Sequence, residues 1–325
     1  MMRRYCLAVF AAVLLVLAAV QGSLAADGDK YPNKTITWLI NALPGGGFDL
    51  HSRAVARVMR KKLGVNIIIR NVPGAGGIIS WNLLANSKPD GYTIGIVNLP
   101  GAIVSQLFKE THYKLREFSW IGRISAGQYV WAAGKQYNLR TLEDFQKAKE
   151  VLITESGYGT TGWVTAALTA ATMKFKPKFI MGYGGAPASN MAIVRGEGNA
   201  RGLGLDSPGQ MAFVTDGSLV PTWVYLEKRD PRHPDVPTVG ELGFPQLSVL
   251  AASRVVAAPP KMPKDRMAVL IKAFRESIED PETQAAFKGM KAKTLPVYGD
   301  DWLPVMQTQF ELIQANAEVF KKALK

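Results

Sequence analysis

Apolar and polar positions along this chain change rhythm again and again. Short β-prone runs at 35–40, 66–70, 92–97, 120–126, 129–133, 151–154, 178–183, 200–205 and 219–226 predict strands. Between them lie stretches whose apolar residues recur at helical spacing. Leu50, Ala54, Val55, Val58 and Leu63 form one such stripe, predicting a helix over 49–63 that Gly64 ends. Further helices are predicted over 78–86, 163–173, 263–278, 281–290 and 301–324, with Pro263 and Pro281 at first-turn positions. Thr141 with Asp144 resembles a capping box before a short helix ending near Lys149. This alternation predicts an α/β fold. A long β-prone run over 247–258 is suited to carry the chain back to a first unit after a second has been built.

The loops that follow these strands carry the candidate chemistry. The first strand runs into Pro44-Gly45-Gly46-Gly47-Phe48-Asp49, the second into Pro73-Gly74-Ala75-Gly76-Gly77. Glycine tolerates positive φ and lets a ligand approach bare N–H groups. A helix pattern follows each loop, which is where an anion is held without a basic side chain. Asp49 suits a helix cap or loop buttress better than a ligand contact, because a carboxylate repels an anionic solute. Three small-residue loops follow after residue 155: Ser156-Gly157-Tyr158-Gly159-Thr160-Thr161-Gly162, Gly184-Gly185-Ala186-Pro187 and Asp206-Ser207-Pro208. Two sets of loops predict two lobes facing each other over one cleft.

The first 25 residues read as a signal peptide: Arg3 and Arg4, an apolar run from Leu7 to Val20, then Ser23-Leu24-Ala25. The single cysteine, Cys6, falls in that leader, so a mature chain has neither a disulfide nor a thiolate site. The formal net charge is +13, carried by scattered lysines without the interleaved aromatics of a nucleic-acid surface. The expected setting is extracytoplasmic and the basic surface suits acidic solutes. His51, His112 and His233 are dispersed, with no metal-ligand spacing. Ser156 lacks a nucleophile elbow and no loop matches a dinucleotide or Walker motif. The expectation is a protein that is not an enzyme and takes no cofactor.

Tyr31-Pro32, Pro44 to Asp49, Asn71-Val72-Pro73-Gly74-Ala75-Gly76-Gly77, Pro89-Asp90-Gly91-Tyr92-Thr93 and Pro234-Asp235-Val236-Pro237-Thr238-Val239-Gly240-Glu241 occur in this order. Together they resemble the tripartite tricarboxylate transporter substrate-binding proteins, the Bug family, over essentially the whole mature chain. The resemblance implies a bilobed type II periplasmic-binding-protein-like fold, two α/β lobes joined by crossing strands. It implies a signal peptide over 1–25, lobe 1 over 26–124, lobe 2 over 125–250 and a return to lobe 1 over 251–325. It also implies a periplasmic monomer that closes around a small carboxylate and passes it to a two-subunit inner-membrane permease.

Carried over residue by residue, the resemblance assigns ligand contacts to Gly46, Gly47 and Phe48, to Ala75, Gly76 and Gly77, and to Asn98 in the first lobe. In the second it assigns Ser156, Tyr158, Thr160, Thr161, Tyr183, Gly185 and Asp206. The third loop of the first lobe, usually rich in Ser or Thr, reads Asn98-Leu99-Pro100, and Gly162-Trp163 replaces a usual histidine. These departures favour an aromatic or mostly apolar carboxylate, with Trp163 and Tyr158 as cleft walls. Arg201, outside the family pattern, is either a lobe-interior ion pair or a bidentate grip on a second carboxylate. An enzyme acting on a carboxylate or ester, or a ligand-sensing partner of a sensor kinase, are the alternatives.

Overall fold

The computed structural model describes residues 31–290 and 292–323, so the leader expected over 1–25 lies outside the described residues. Eleven strands are present among them: β1 (Ile36–Ile40), β2 (Ile67–Asn71), β3 (Thr93–Leu99), β4 (Ser119–Gly127), β5 (Tyr129–Gly134), β6 (Val151–Glu155), β7 (Pro177–Met181), β8 (Ala200–Gly204), β9 (Leu219–Val224), β10 (Ala252–Ala258) and β11 (Val297–Tyr298). They form two sheets, one in the order β11-β4-β10-β3-β1-β2 and one in the order β7-β6-β8-β5-β9. In the first, β1 pairs parallel with β2 and β3, while β10 runs antiparallel between β3 and β4. In the second, β6 lies parallel between β7 and β8, and β5 runs antiparallel to β8 and β9.

Helices cover both sheets: α1 (Gly47–Leu63), α2 (Ile78–Ala85), α3 (Gly101–Phe108), α4 (Leu142–Lys147), α5 (Thr161–Met173), α6 (Ala186–Val194), α7 (Pro208–Thr215), α8 (Lys264–Glu279), α9 (Pro281–Gly289), α10 (Leu303–Ala315) and α11 (Ala317–Ala323). The helix expected over 301–324 is thus two helices, broken at Asn316. The β-prone run over 247–258 begins with a 3-10 turn, Pro245–Val249, and becomes strand only at Ala252. The Thr141 capping box is formed, with Thr141 Oγ1 accepting from the Asp144 amide and the Asp144 carboxylate accepting from the Thr141 amide.

The period of two along each strand explains the layering. Ile36, Trp38 and Ile40 of β1 pack in one cluster with Val55 and Met59 of α1, Phe274 of α8 and Phe287 of α9. Leu39, between them, faces the other side, with Trp81 of α2 and Ile103 of α3. A strand buried on both faces reads as the unbroken apolar run seen in the sequence. All seven tryptophans are fully buried. In the second lobe Trp131 and Trp223 stack at 5.6 Å and only 5° from parallel. Burying a side chain of this size stabilises by about 1.5–3 kcal/mol.

Gln128 alone separates β4 from β5, and the chain returns through residues 225–251 to β10. These two crossings join the sheets at the ends of β4, β5, β9 and β10. The C-terminal helix adds a third tie: Phe320 of α11 stacks on Phe108 at 5.6 Å and meets Trp163 of the second lobe edge-on at 5.6 Å.

Candidate ligand-binding cleft

The first glycine loop leads directly into the first turn of α1, with Gly46 at its N-cap. The loop is held from behind by Asp49. Its Oδ2 accepts from the Gly45 amide (2.9 Å) and from Arg53 Nε (2.8 Å), and its Oδ1 accepts from Asn71 Nδ2 (2.9 Å). Asn71 Nδ2 also donates to the Ala42 carbonyl (2.9 Å), tying the loop to β2. Burial pushes the Asp49 pKa up, but the bonds from Arg53, Gly45 and Asn71 outweigh it and leave the carboxylate below its ordinary range. Asp49 is therefore a buttress, committed to its own loop.

The second loop makes a tight 3-10 turn over Ala75–Gly77, with Ala75, Gly76 and Gly77 all at positive φ. At Gly77 glycine is required twice over. Its φ is +112°, and a Cβ would lie 2.4 Å from the Trp81 ring and 2.9 Å from Asn41 Nδ2. Asn41 in turn donates to Asn98 Oδ1 (2.6 Å), at the end of β3.

The two lobes meet at these loops. Asn98 Nδ2 donates to Thr161 Oγ1 across the cleft (2.9 Å), and both side chains are buried. A Cβ on Gly76 would stand 2.9 Å from the Tyr158 carbonyl, and one on Gly101 would stand 2.5 Å from the Gly159 carbonyl. The glycines of the first lobe thus seat the backbone of the 156–161 loop. Thr160 caps α5, its hydroxyl accepting from the Trp163 amide (3.3 Å) and donating to the Gly157 carbonyl (2.9 Å). Tyr158 is exposed at the mouth, its ring edge-on to Trp163 at 5.4 Å.

Two predicted site residues, Trp163 and Arg201, are buried inside the second lobe. Trp163 is fully buried among Tyr158, Phe179 and Phe320, so it belongs to the core and is not a cleft wall. Leu99 is fully buried as well. Arg201 is 3% exposed and turned inward. Its Nη2 lies 3.3 and 3.4 Å from the Glu155 carboxylate, and its Nη1 donates to the Ala186 carbonyl and to Asn190 Oδ1. Of its two readings, the geometry is that of the lobe-interior ion pair. Glu155 also accepts from the Ser156 amide and rests against Gly162, where a Cβ would be 2.7 Å from its Oε2. Burial raises the Glu155 pKa, with Arg201 and the Ser156 amide opposing. Tyr183 uses its hydroxyl on Glu197 (2.7 Å), and Gly185 is the N-cap of α6. Asp206 lies near Arg232 and Arg254. Burial raises its pKa and those two cations work against the rise.

One residue the sequence reading passed over stands beside the first loop. Arg254 of β10 lies opposite Asn98 in the strand register, with its guanidinium over the Phe48 ring at 5.0 Å. The signal was available: it is the single charged residue in the β-prone run 247–258. Among the described residues no group of three or more His, Cys, Asp or Glu is placed to hold a metal.

Loops from the two lobes thus converge on one seam. Residues 51–320 match the family model described as tripartite tricarboxylate transporter family receptor. The chain belongs to this receptor family. Protein BugT of Bordetella pertussis is 26% identical over 296 residues, covering 86% of this chain and 88% of BugT. In fold the receptor is similar to MatC from Rhodopseudomonas palustris with bound malate, at a TM-score of 0.72 and 21% identity over 91% of this chain and 100% of MatC. It is equally similar to an R. palustris protein with adipate, at a TM-score of 0.75 and 19% identity over 89% and 98% of the two chains. The fold is the bilobed periplasmic-binding-protein type, and the family is one of solute-binding receptors.

Proposed function

We propose that this receptor works in the periplasm as a monomer, captures a small carboxylate between its lobes, and delivers it to a two-subunit, ion-gradient-driven permease. The observation that carries the reading is the cross-cleft seam. Asn98 bridges to Thr161 while Gly76 and Gly101 receive the 158–159 backbone, so a ligand at the loops touches both lobes only when they close. Each hydrogen bond to a charged carboxylate contributes about 1.5–3 kcal/mol, so three or four, less ordering costs, support micromolar binding. The reading does not call on turnover.

An aliphatic dicarboxylate fits this cleft better than an aromatic acid. Of the two aromatic walls that would favour an aromatic acid, Trp163 lies in the core and Tyr158 alone is exposed, and Leu99 is buried as well. The fold neighbours were solved with malate and with adipate, which are small aliphatic dicarboxylates. Isothermal titration of the purified receptor with malate, adipate, citrate and benzoate tests the reading. Saturable binding of an aliphatic dicarboxylate is expected. Heatless titrations with every acid, together with no acid retained in native mass spectra, would overturn it.

A further inference from the structure

Among the cations close to the cleft or its second-lobe wall, Arg201, Arg232 and Arg254 differ in how they are partnered. Arg201 is spent on Glu155 inside the second lobe. Arg232 is spent on Asp230, its Nη2 2.6 Å from the carboxylate. Glu155 also sits against the first turn of α5, in the space left at Gly162. The positive end of that helix is already matched by a carboxylate of the protein. The second lobe therefore has little charge left to offer an anion.

Arg254 is different. Among the described residues it forms no ion pair, and its Nε is buried without a hydrogen-bond partner. Its Nη1 makes only two long contacts, to Ser125 Oγ (3.3 Å) and the Ala252 carbonyl (3.4 Å). The guanidinium is nonetheless well seated. A Cβ on Gly47 would come within 3.2 Å of Nη2, and one on Gly127 within 2.7 Å of Nη1, so two glycines make room for its plane. Phe48 supports one face. Nη2 is thereby held at the first turn of α1, where the amides following the first glycine loop begin. Burial lowers the pKa of Arg254, while Asp206 and Tyr129 favour its charge. A buried cation costs stability unless an anion compensates it.

We propose that Arg254 is the charged anchor of the cleft, gripping one carboxylate of the ligand beside the first turn of α1. This rests on the carboxylate-receptor reading above and adds a division of labour to it. One carboxylate of a dianion is taken by a fork of guanidinium N–H groups in the first lobe. The opposite end is left to neutral donors, the Ala75 and Gly76 amides and the hydroxyls of Ser156, Tyr158 and Thr161. The fork geometry suits a planar carboxylate through two parallel bonds, which an ammonium cannot reproduce.

The test titrates malate and adipate into the wild type, R254Q and G127A, with melting curves of each protein without ligand. R254Q is expected to lose roughly ten- to hundredfold in affinity, with an unchanged or raised melting temperature of the empty protein. G127A keeps the arginine but presses a methyl group against Nη1. It is expected to lose several-fold, and it answers the question on its own if R254Q fails to fold. Wild-type binding that survives in R254Q, or in G127A if that is the variant that folds, makes Arg254 structural and overturns the anchor while the receptor reading stands. No binding of either acid to the wild type overturns the aliphatic-dicarboxylate reading and the anchor with it.

Discussion

Replacing Gly101 by alanine should separate lobe closure from folding. Gly101 opens α3 with ordinary helical φ, so alanine is tolerated there and favours the helix by up to about 1 kcal/mol. Its methyl group, however, would sit 2.5 Å from the Gly159 carbonyl and 2.9 Å from Asn98 Nδ2. The carbonyl belongs to the backbone of the opposite lobe, so relief requires the lobes to part by at least about half an ångström. That displacement stretches the 2.9 Å Asn98–Thr161 bond at the centre of the seam. Overpacking costs about 1–3 kcal/mol and a buried hydrogen bond about 1 kcal/mol. Closure should therefore weaken by about 2–4 kcal/mol, roughly a 30- to 900-fold rise in Kd. Calorimetry with the bound carboxylate reads the affinity, small-angle scattering with saturating ligand reads the closure, and thermal melting without ligand reads the fold. The expected pattern is lost affinity, a more extended liganded form and an empty protein at least as stable as wild type. Wild-type affinity in G101A would refute the idea that closure needs backbone contact at this glycine.

Thr161→Val removes the acceptor of the cross-cleft bond and leaves Asn98 Nδ2 buried without it. Affinity should fall about 5- to 30-fold by calorimetry. Arg201→Ala strips the partner from buried Glu155, which costs about 3–5 kcal/mol. A melting temperature lower by roughly 6–15 °C is expected, and a stable variant that has lost only ligand affinity would contradict the ion-pair reading. His51 donates from Nδ1 to the Gly47 carbonyl, and burial, aided by the Arg254 charge, lowers its pKa to about 3. Between the unfolded value of 6.5 and about 3 the unfolded chain binds the extra proton, so this histidine makes stability fall as pH drops through that window. Denaturant titrations at pH 7 and pH 4 should show a smaller loss in H51Q than in the wild type.

Periodicity made most of the sheets legible because their strands are short, apolar and punctuated by glycine, as at Ile36 to Ile40 before the first glycine loop. It failed where a helix is buried on nearly every side. The Gly101–Phe108 segment is almost wholly apolar at its start, so no stripe distinguishes α3 from a loop. The same lack of a polar face misplaced Trp163. Eight consecutive residues of α5 from Trp163 to Ala170 are buried, and a glycine loop next door does not make such a residue a cleft wall. Arg201 could not be assigned from sequence because its partner, Glu155, lies on a neighbouring strand and their meeting depends on the β6–β8 pairing. Arg254 illustrates the converse. A lone charge in an apolar strand was readable, but only the register opposite Asn98 brings it to the first glycine loop.

The position of β10 between β3 and β4 also governs the order in which the molecule can be assembled. The second sheet is encoded in one uninterrupted span, so a chain emerging N-terminus first can complete it without waiting. The first sheet cannot close until Ala252–Ala258 has been made, because the strand at its centre follows the whole of the second sheet in the chain and only the edge strand β11 comes later. Until then β3 and β4 each present an open edge, the kind of surface that recruits stray strands. The strand that carries Arg254 to the cleft is thus also the keystone of its lobe, and an arginine there reaches the ligand only after everything around it has been built.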